Sequence, residues 1–127
     1  MIAVDTSALL AIILNEKEGP NCEAVLENAN KLIMSAGTLT EALIVAARRG
    51  VPRKMKIILE SLPFDIIPVT PASARRAAAA YDLWGKGVHS ASLNYGDCFS
   101  YEVAKTQACP LLFIGSDFSQ TDVVSAL

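Results

Sequence analysis

The chain begins with the stretch Met1-Ile2-Ala3-Val4-Asp5-Thr6-Ser7-Ala8-Leu9-Leu10. Its apolar run stops at Asp5, and a second apolar pattern starts after two hydroxyl residues. This pattern predicts a buried strand at Ile2–Val4 and a helix at Ser7–Leu14. Asp5 would then lie at the carboxyl end of a strand, the edge at which open α/β sheets bind their ligands. It is also well placed to be the N-cap of the helix.

Strand and helix patterns alternate along the rest of the chain. Apolar runs predict strands at Leu32–Ser35, Phe64–Val69 and Leu111–Ile114, and a short fifth strand at Val123 and Val124. Helices are predicted at Asn21–Asn30, Thr38–Arg49, Pro52–Leu62, Pro71–Trp84 and Asp97–Thr106. Such alternation predicts one α/β domain over residues 1–127, in which helices cover both faces of a parallel sheet of four or five strands.

Composition narrows the class of protein. Although 52% of the residues are hydrophobic, no run reaches the roughly 20 apolar residues of a membrane span. The three scattered cysteines and the single histidine favour a reduced, cytoplasmic setting and argue against a disulfide scaffold or a zinc site. The net charge of −2 argues against a broad basic surface, but a bound divalent cation would still allow nucleic acid to bind locally.

Four acidic residues are expected at one edge of the predicted sheet. Asp5 follows the first strand, and Glu41 lies in the first turn of the helix after the second strand. Asp117 follows the strand near residue 114, and Asp97 opens the helix that leads back to that strand. Because crossover helices run opposite to parallel strands, their first turns lie at the carboxyl edge of the strands. The four acids should therefore share one pocket.

Each acid also has an ordinary structural explanation. Asp5 and Asp97 are suitable helix N-caps, and Asp117 fits turn chemistry. The string Thr38-Leu39-Thr40-Glu41 matches a capping box, in which Glu41 reaches back to the Thr38 amide. Four carboxylates on one rim are harder to explain in this way, because they repel each other unless protons or cations neutralise them. Such an oxygen-rich set is typical of Mg²⁺ or Mn²⁺ sites, and it predicts metal-assisted hydrolysis of a phosphodiester.

The acids lie within four strings that follow one another along the chain: Val4-Asp5-Thr6-Ser7-Ala8, Ser35-Ala36-Gly37-Thr38-Leu39-Thr40-Glu41-Ala42, Leu93-Asn94-Tyr95-Gly96-Asp97-Cys98-Phe99 and Asp117-Phe118-Ser119-Gln120-Thr121-Asp122. With these strings the chain closely resembles, from end to end, the PIN-domain ribonucleases, and specifically the VapC-type toxins of bacterial type II toxin–antitoxin systems. The resemblance implies a three-layer α/β/α fold and an acidic pocket that holds one or two Mg²⁺ or Mn²⁺ ions. It also implies an endoribonuclease that cleaves RNA by attack of water.

The resemblance assigns roles to individual residues. Its four catalytic carboxylates would be Asp5, Glu41, Asp97 and Asp117. Of these, Asp5 and Asp97 would be the principal metal ligands, Asp117 a further ligand, and Glu41 would complete the charge or orient water. The hydroxyl groups that hold these carboxylates would be those of Thr6, Ser7 and Ser116.

Two regions depart from the pattern of the family. Ser116 occupies a position at which the family often has Asn, which bears on how firmly Asp117 is held. In the loop around His89, Val88 and Ser90 replace the usual basic residue and proline, so this loop lacks side chains with which the family is expected to bind substrate. His89 itself is expected to be a surface loop residue, because hydrolysis assisted by a metal needs no histidine base.

Contacts with other molecules are expected on three grounds. Basic side chains should contact RNA phosphates, and the candidates are Arg48, Arg49, Arg75, Arg76 and Lys86. Tyr81 and Trp84 could stack on a base, although their helical spacing favours core or dimer contacts. The resemblance implies a homodimer and a VapB-type antitoxin whose tail lies in a groove beside the pocket, and the high apolar content fits a surface covered by another chain.

Two other functions remain open from the residues. A phosphatase or phosphotransfer domain would use Asp5 as its nucleophile, but that chemistry usually has a second acid where this chain has Ser7 and a lysine near Ile114, where none is present. A non-catalytic PIN-like module for protein contacts would have no need of all four acids.

Overall fold

The computed structural model describes residues 1–127 and has α/β architecture, as the sequence predicts. Four strands are present, namely β1 (Ile2–Val4), β2 (Leu32–Ser35), β3 (Phe64–Ile67) and β4 (Leu111–Leu112). The six α-helices are α1 (Thr6–Ile13), α2 (Gly19–Asn28), α3 (Ala36–Arg48), α4 (Pro52–Ser61), α5 (Pro71–Trp84) and α6 (Tyr95–Thr106). A 3₁₀ helix follows at Phe118–Gln120. None of the helices combines the length and apolar character needed to span a membrane.

The strands form one parallel sheet in the order β3-β2-β1-β4. Ala3 is in register with Ile33 on one side and with Leu111 on the other, so β1 is a central strand. The chain first moves outward from β1 to β2 and β3, then returns to add β4 on the opposite side of β1. This reversal makes the carboxyl end of β1 the switch point of the sheet, where open α/β folds form their ligand crevice.

Alternate strand residues enter two separate cores, one on each face of the sheet. Ala3, Ile33 and Leu111 pack with side chains of α5 and α6. Val4, Met34 and Leu112 instead pack with side chains of the first four helices. The structure therefore has the three-layer α/β/α arrangement that the resemblance implies.

The predicted fifth strand does not form. The segment after residue 120 makes a single parallel bridge between Ser125 and Leu111, and Val123 and Val124 are not in a strand. β4 is also shorter than predicted, because the chain turns away after Leu112 and Gly115 has a φ of +102°. The backbone amide of Ile114 donates to the Ser7 hydroxyl instead of continuing the ladder. A polar contact with Ser7 of α1, 107 positions away in the sequence, thus ends β4 earlier than the apolar pattern predicts.

Candidate active site

The four predicted carboxylates meet at the carboxyl edge of the sheet. Asp5 directly follows β1 and is buried, whereas Glu41 lies on α3 and Asp97 on α6. Burial raises the pKa of Asp97 to about 7, and the charges of Asp5, Glu41 and Asp117 add to the increase, while a hydrogen bond from the Asn94 backbone acts against it. All three other acids are thus close enough to Asp97 to oppose its ionisation.

Asp5 is both the N-cap of α1 and a wall of this pocket. Its Oδ2 accepts hydrogen bonds from the Ser7 amide at 3.0 Å and the Ser7 hydroxyl at 2.7 Å. Its Oδ1 accepts from the Ser100 hydroxyl at 2.6 Å. An ionised carboxylate has about four lone-pair sites. These three donors leave one free, on Oδ1, so Asp5 can offer a cation a single coordination site.

Hydroxyl groups connect Asp5 to three neighbouring elements. The Ser7 hydroxyl, which donates to Asp5, accepts from the Ile114 amide at 3.0 Å and so connects the pocket to the end of β4. The Ser100 hydroxyl lies 3.0 Å from the Thr38 hydroxyl of α3, and both residues are buried. The Thr6 hydroxyl donates to the Thr38 carbonyl at 3.4 Å. Asp5 is therefore held by α1, α3 and α6 together.

Two of these hydroxyl residues, Thr38 and Ser100, are absent from the sequence-based site. Ser100 has a recognisable signal, because it follows Asp97 by three positions and such a pair shares one helix face. Thr38 has no such signal in the sequence, because its position is explained equally well by the predicted capping box. Its role depends on the packing of α3 against α6.

The capping box predicted for Glu41 does not form. Ser35 caps α3, where its hydroxyl accepts from the Gly37 amide at 3.1 Å, so the helix begins two residues earlier than predicted. Glu41 consequently lies in the second turn of α3 and faces the first turn of α6. Burial raises the pKa of Glu41, the hydroxyl of Thr6 acts against this, and the charge of Asp5 adds to it.

Asp97 is the third residue of α6, and Asn94 is the N-cap of that helix. The backbone amide of Asp97 donates to the side-chain Oδ1 of Asn94 at 2.9 Å, and the backbone amide of Asn94 donates to Oδ2 of Asp97 at 2.9 Å. This reciprocal pair is a capping box, and it fixes the direction of the Asp97 carboxylate. The remaining lone pairs of Asp97 accept no hydrogen bond from the protein, so more of them are free to coordinate a cation than on Asp5.

Asp117 lies on an exposed turn that begins the 3₁₀ helix. Its side chain does not cap that helix, and no hydrogen bond joins the side chain of Ser116 to any of the four acids. The segment after it is anchored to α6, because the Tyr101 hydroxyl donates to Asp122 at 2.6 Å and Lys105 lies 3.0 Å from the same carboxylate. Asp117 is thus positioned by its backbone and not by the side chain of Ser116.

The donor set suits a hydrated oxygen-seeking cation. No three acidic, thiol or imidazole groups are close enough together to hold an ion by themselves. Mg²⁺ is usually bound by one or two carboxylates, with water and substrate phosphate completing the shell. One coordination site on Asp5 and the freer carboxylate of Asp97 match that requirement, and the clustered charge provides the attraction.

The predicted RNA-contacting residues are dispersed. Arg48 and Arg49 lie at the end of α3, about 18 Å along the helix from its first residue, so they do not line the acidic pocket. Arg76 is paired with the buried Glu102 at 3.3 Å, which gives it a structural role. Arg75 is exposed, and Lys86 lines a groove beside Asn94.

That groove is a mainly apolar cavity of about 650 Å³ between α5 and α6. Its lining includes Tyr81, Asn94, Tyr95 and Phe99, and Tyr95 is 79% exposed. Because Asn94 also hydrogen-bonds to Asp97, the groove adjoins the acidic pocket directly. The groove therefore offers apolar and aromatic surface next to a strongly charged site.

Trp84 and His89 have structural roles in the loop after α5. The Trp84 indole donates to the Tyr101 hydroxyl at 3.0 Å, and the His89 ring lies edge-on to Trp84 at a centroid distance of 4.8 Å. His89 Nδ1 accepts from the Ala91 amide at 3.0 Å. These contacts hold the loop, and neither ring makes a hydrogen bond to the four acids.

Comparison with known proteins identifies the family. The PIN domain family model matches residues 2–124. Ribonuclease VapC30 of Mycobacterium tuberculosis is 42% identical over 127 residues, covering 98% of this chain and 97% of that protein. Ribonuclease VapC of Mycolicibacterium smegmatis is 39% identical, with 98% of each chain covered.

Solved structures share the fold at lower identity. The crystal structure of Mycobacterium tuberculosis VapC20, described as a sarcin-ricin loop cleaving toxin, has a TM-score of 0.80 at 18% identity and covers 98% of this chain and 97% of its own. A toxin–antitoxin complex from Klebsiella pneumoniae has a TM-score of 0.73 at 19% identity and covers 100% and 98%. The matches in sequence and in fold agree, and the chain belongs to the PIN-domain family, among the VapC ribonucleases.

Proposed function

We propose that this protein is the toxin of a type II toxin–antitoxin system and acts as a metal-dependent endoribonuclease on RNA phosphodiester bonds. The observation that carries the proposal is the convergence of Asp5, Glu41 and Asp117 on Asp97, whose pKa is raised to about 7 by burial and by these charges. Such a cluster is neutralised by a divalent cation more readily than by the protein itself, which offers no basic side chain paired with any of the four.

Asp5 and Asp97 are the proposed principal ligands of Mg²⁺ or Mn²⁺, and Asp117 is a further ligand from the exposed turn. When bound, the cation would act as a Lewis acid towards the phosphate and make water a better nucleophile. We propose that Glu41 completes the negative charge that attracts the cation and accepts a proton from attacking water, because its raised pKa brings the carboxylate closer to the operating pH. Ser7 and Ser100 hold Asp5 in one orientation, so the pocket needs little rearrangement when substrate binds.

RNA contacts are proposed for two basic side chains of the α5 region that make no ion pair. Lys86 lines the groove that adjoins Asp97, and Arg75 is an exposed basic residue of α5 with no ion-pair partner. Arg48 and Arg49 would reach only RNA that extends well beyond the scissile bond. Phosphate contacts of this kind make affinity depend strongly on salt.

Protein partners are proposed for the groove between α5 and α6. A VapB-type antitoxin and a second copy of the chain are the proposed occupants of this exposed apolar surface, and the most exposed aromatic side chain there is Tyr95. Occupation beside Asp97 would allow an antitoxin to block the pocket. Replacing Tyr95 with Arg should convert a homodimer into monomers and so lower the mass measured by light scattering.

We also propose a cytoplasmic location, where cellular RNA would be available.

The test of the activity is RNA cleavage by the purified protein with Mg²⁺ or Mn²⁺, followed by mapping of the new ends. Asp5→Asn and Asp97→Asn should abolish cleavage and growth inhibition with the fold intact, and chelator should do the same to the unaltered protein. Asp65→Asn makes the same chemical change at an exposed residue outside the pocket and should leave cleavage unchanged. Full activity of either pocket variant would refute the proposal.

The alternative functions have their own readouts. A stable acyl-phosphate on Asp5 after incubation with a phosphate donor would support a phosphotransfer domain. Absence of Mn²⁺ binding at millimolar concentration in isothermal titration would support a non-catalytic protein-interaction module.

A further inference from the structure

Two glycines lie where α3 and α6 pack against each other. Each glycine is the second residue of its helix, Gly37 in α3 and Gly96 in α6. A Cβ atom placed on Gly37 would be 2.6 Å from Cγ of the Phe99 ring. A Cβ atom placed on Gly96 would overlap Oε2 of Glu41 and lie 2.6 Å from its Cδ. Each helix therefore accommodates a side chain of the other against a bare stretch of backbone.

Backbone conformation does not explain the glycine at position 96. Gly96 is absent from the residues with positive φ, so an L-amino acid could adopt its conformation. Alanine would also favour the helix, because glycine is a weaker helix former. The space taken by the Glu41 carboxylate is the remaining explanation.

We infer that Gly96 is a positioning residue for the acidic pocket, because its missing side chain allows the Glu41 carboxylate to lie against the first turn of α6, one residue from Asp97. This inference rests on the role proposed above for Glu41. A methyl group at position 96 would displace the end of a flexible side chain and would not meet a packed ring or backbone. The fold should therefore tolerate Gly96→Ala, while Glu41 loses its place beside Asp97.

The experiment compares Gly96→Ala, Glu41→Ala and the double variant, each assayed for Mn²⁺ affinity by isothermal titration and for Tm without metal. Gly96→Ala should raise the Kd for Mn²⁺ by roughly 10- to 100-fold, the range for groups that surround the ligands of a metal, because the displaced Glu41 would no longer add its charge beside Asp97. It should have no further effect on Kd in the Glu41→Ala background. Its effect on Tm should be more favourable in that background, because the added methyl group then has free space and alanine favours the helix.

Gly37→Ala is the matched control, since it makes the same change at the same helical position of the facing helix. It should lower Tm to the same extent with and without Glu41, because its methyl group meets Phe99.

The Gly96 and Glu41 variants test different statements. An unchanged Kd for Gly96→Ala, or an equal effect on Tm in both backgrounds, would overturn the inference. A normal Kd for Glu41→Ala would overturn the proposal that Glu41 completes the charge of the pocket and, with it, the positioning role of Gly96. In that case the Tm comparison would still report whether the two residues touch.

Discussion

The Ser100 hydroxyl donates a 2.6 Å hydrogen bond to Oδ1 of Asp5, across 95 positions of sequence. Both residues are buried, and Oδ1 is the oxygen that retains a free lone pair for a cation. Because Ser100 lies one helical turn after Asp97, this bond fixes the first carboxylate of the pocket relative to the helix that carries another.

Replacing Ser100 with Ala should weaken both the fold and the activity. The buried Asp5 carboxylate would lose a charge-assisted hydrogen bond, which costs about 1–3 kcal/mol of unfolding free energy. RNA cleavage should fall by roughly 10- to 100-fold as the carboxylate loses its orientation. Denaturant unfolding and cleavage rates measure the two effects. Ser61→Ala removes an exposed hydroxyl and should change neither, so equal behaviour of the two variants would contradict the role of Ser100.

The stability of the metal-free protein should depend on pH through Asp97. Its pKa in the folded protein, about 7, lies above the ordinary value of 3.8, so the folded state binds the proton more tightly than the unfolded state. The contribution of Asp97 to stability is therefore greatest in acid and is lost as pH rises from about 4 to about 7. The raised pKa of Glu41 acts in the same direction.

Tm of the metal-free protein should accordingly be higher at pH 5 than at pH 8. Asp97→Asn should reduce this difference, because its amide does not ionise. Saturating Mn²⁺ should raise Tm more at pH 8 than at pH 5, since protons and the cation compete for the same carboxylates. A Tm that rises between these pH values, in the absence of metal, would be inconsistent with the clustered acids.

Replacing Asn94 with Ala should separate helix stability from activity. The variant loses the side-chain cap of α6, at a cost of about 1 kcal/mol, and leaves the Asp97 backbone amide without its acceptor. The backbone amide of residue 94 can still donate to the Asp97 carboxylate, but from a first turn that is held less firmly. Thr70 forms the equivalent capping box at the start of α5, so Thr70→Ala should cost similar stability. We expect cleavage to fall in the Asn94 variant alone. Equal losses of cleavage would show that the cap acts only through stability.

The salt dependence of RNA binding should distinguish the groove from the far end of α3. Replacing Lys86 with Ala should weaken binding and reduce the slope of log K against log salt by about 0.7, the value for one phosphate on a single strand. Arg48→Ala should leave the slope for a short RNA unchanged, because Arg48 lies about 10 Å along α3 beyond Glu41. Binding can be followed by fluorescence anisotropy with Asp5→Asn protein, to prevent cleavage. Equal slopes would argue against Lys86 as a phosphate contact.

Local pattern predicted most of the elements, and the exceptions have identifiable causes. Both predicted ends of the helix Pro71–Trp84 are confirmed, because proline favours the first position of a helix and glycine favours the position after its end. Val123 and Val124 have strand-forming side chains, but only a single bridge at Ser125 reaches β4. In that parallel register Val124 would lie opposite Pro110, which has no amide hydrogen to donate, so the pairing does not extend back to the two valines.

The sequence by itself determined the fold class and the identity of the four acids. Alternating apolar runs require a covered parallel sheet, and the topology of such a sheet brings strand ends and helix starts to one edge. Only the tertiary structure decided how the acids are held. Ser100 of α6 reaches Asp5, Thr38 of α3 contacts the Ser100 hydroxyl, and Gly96 makes room for Glu41. Those contacts depend on the distance between α3 and α6, which packing in three dimensions sets and which no spacing along one chain segment records.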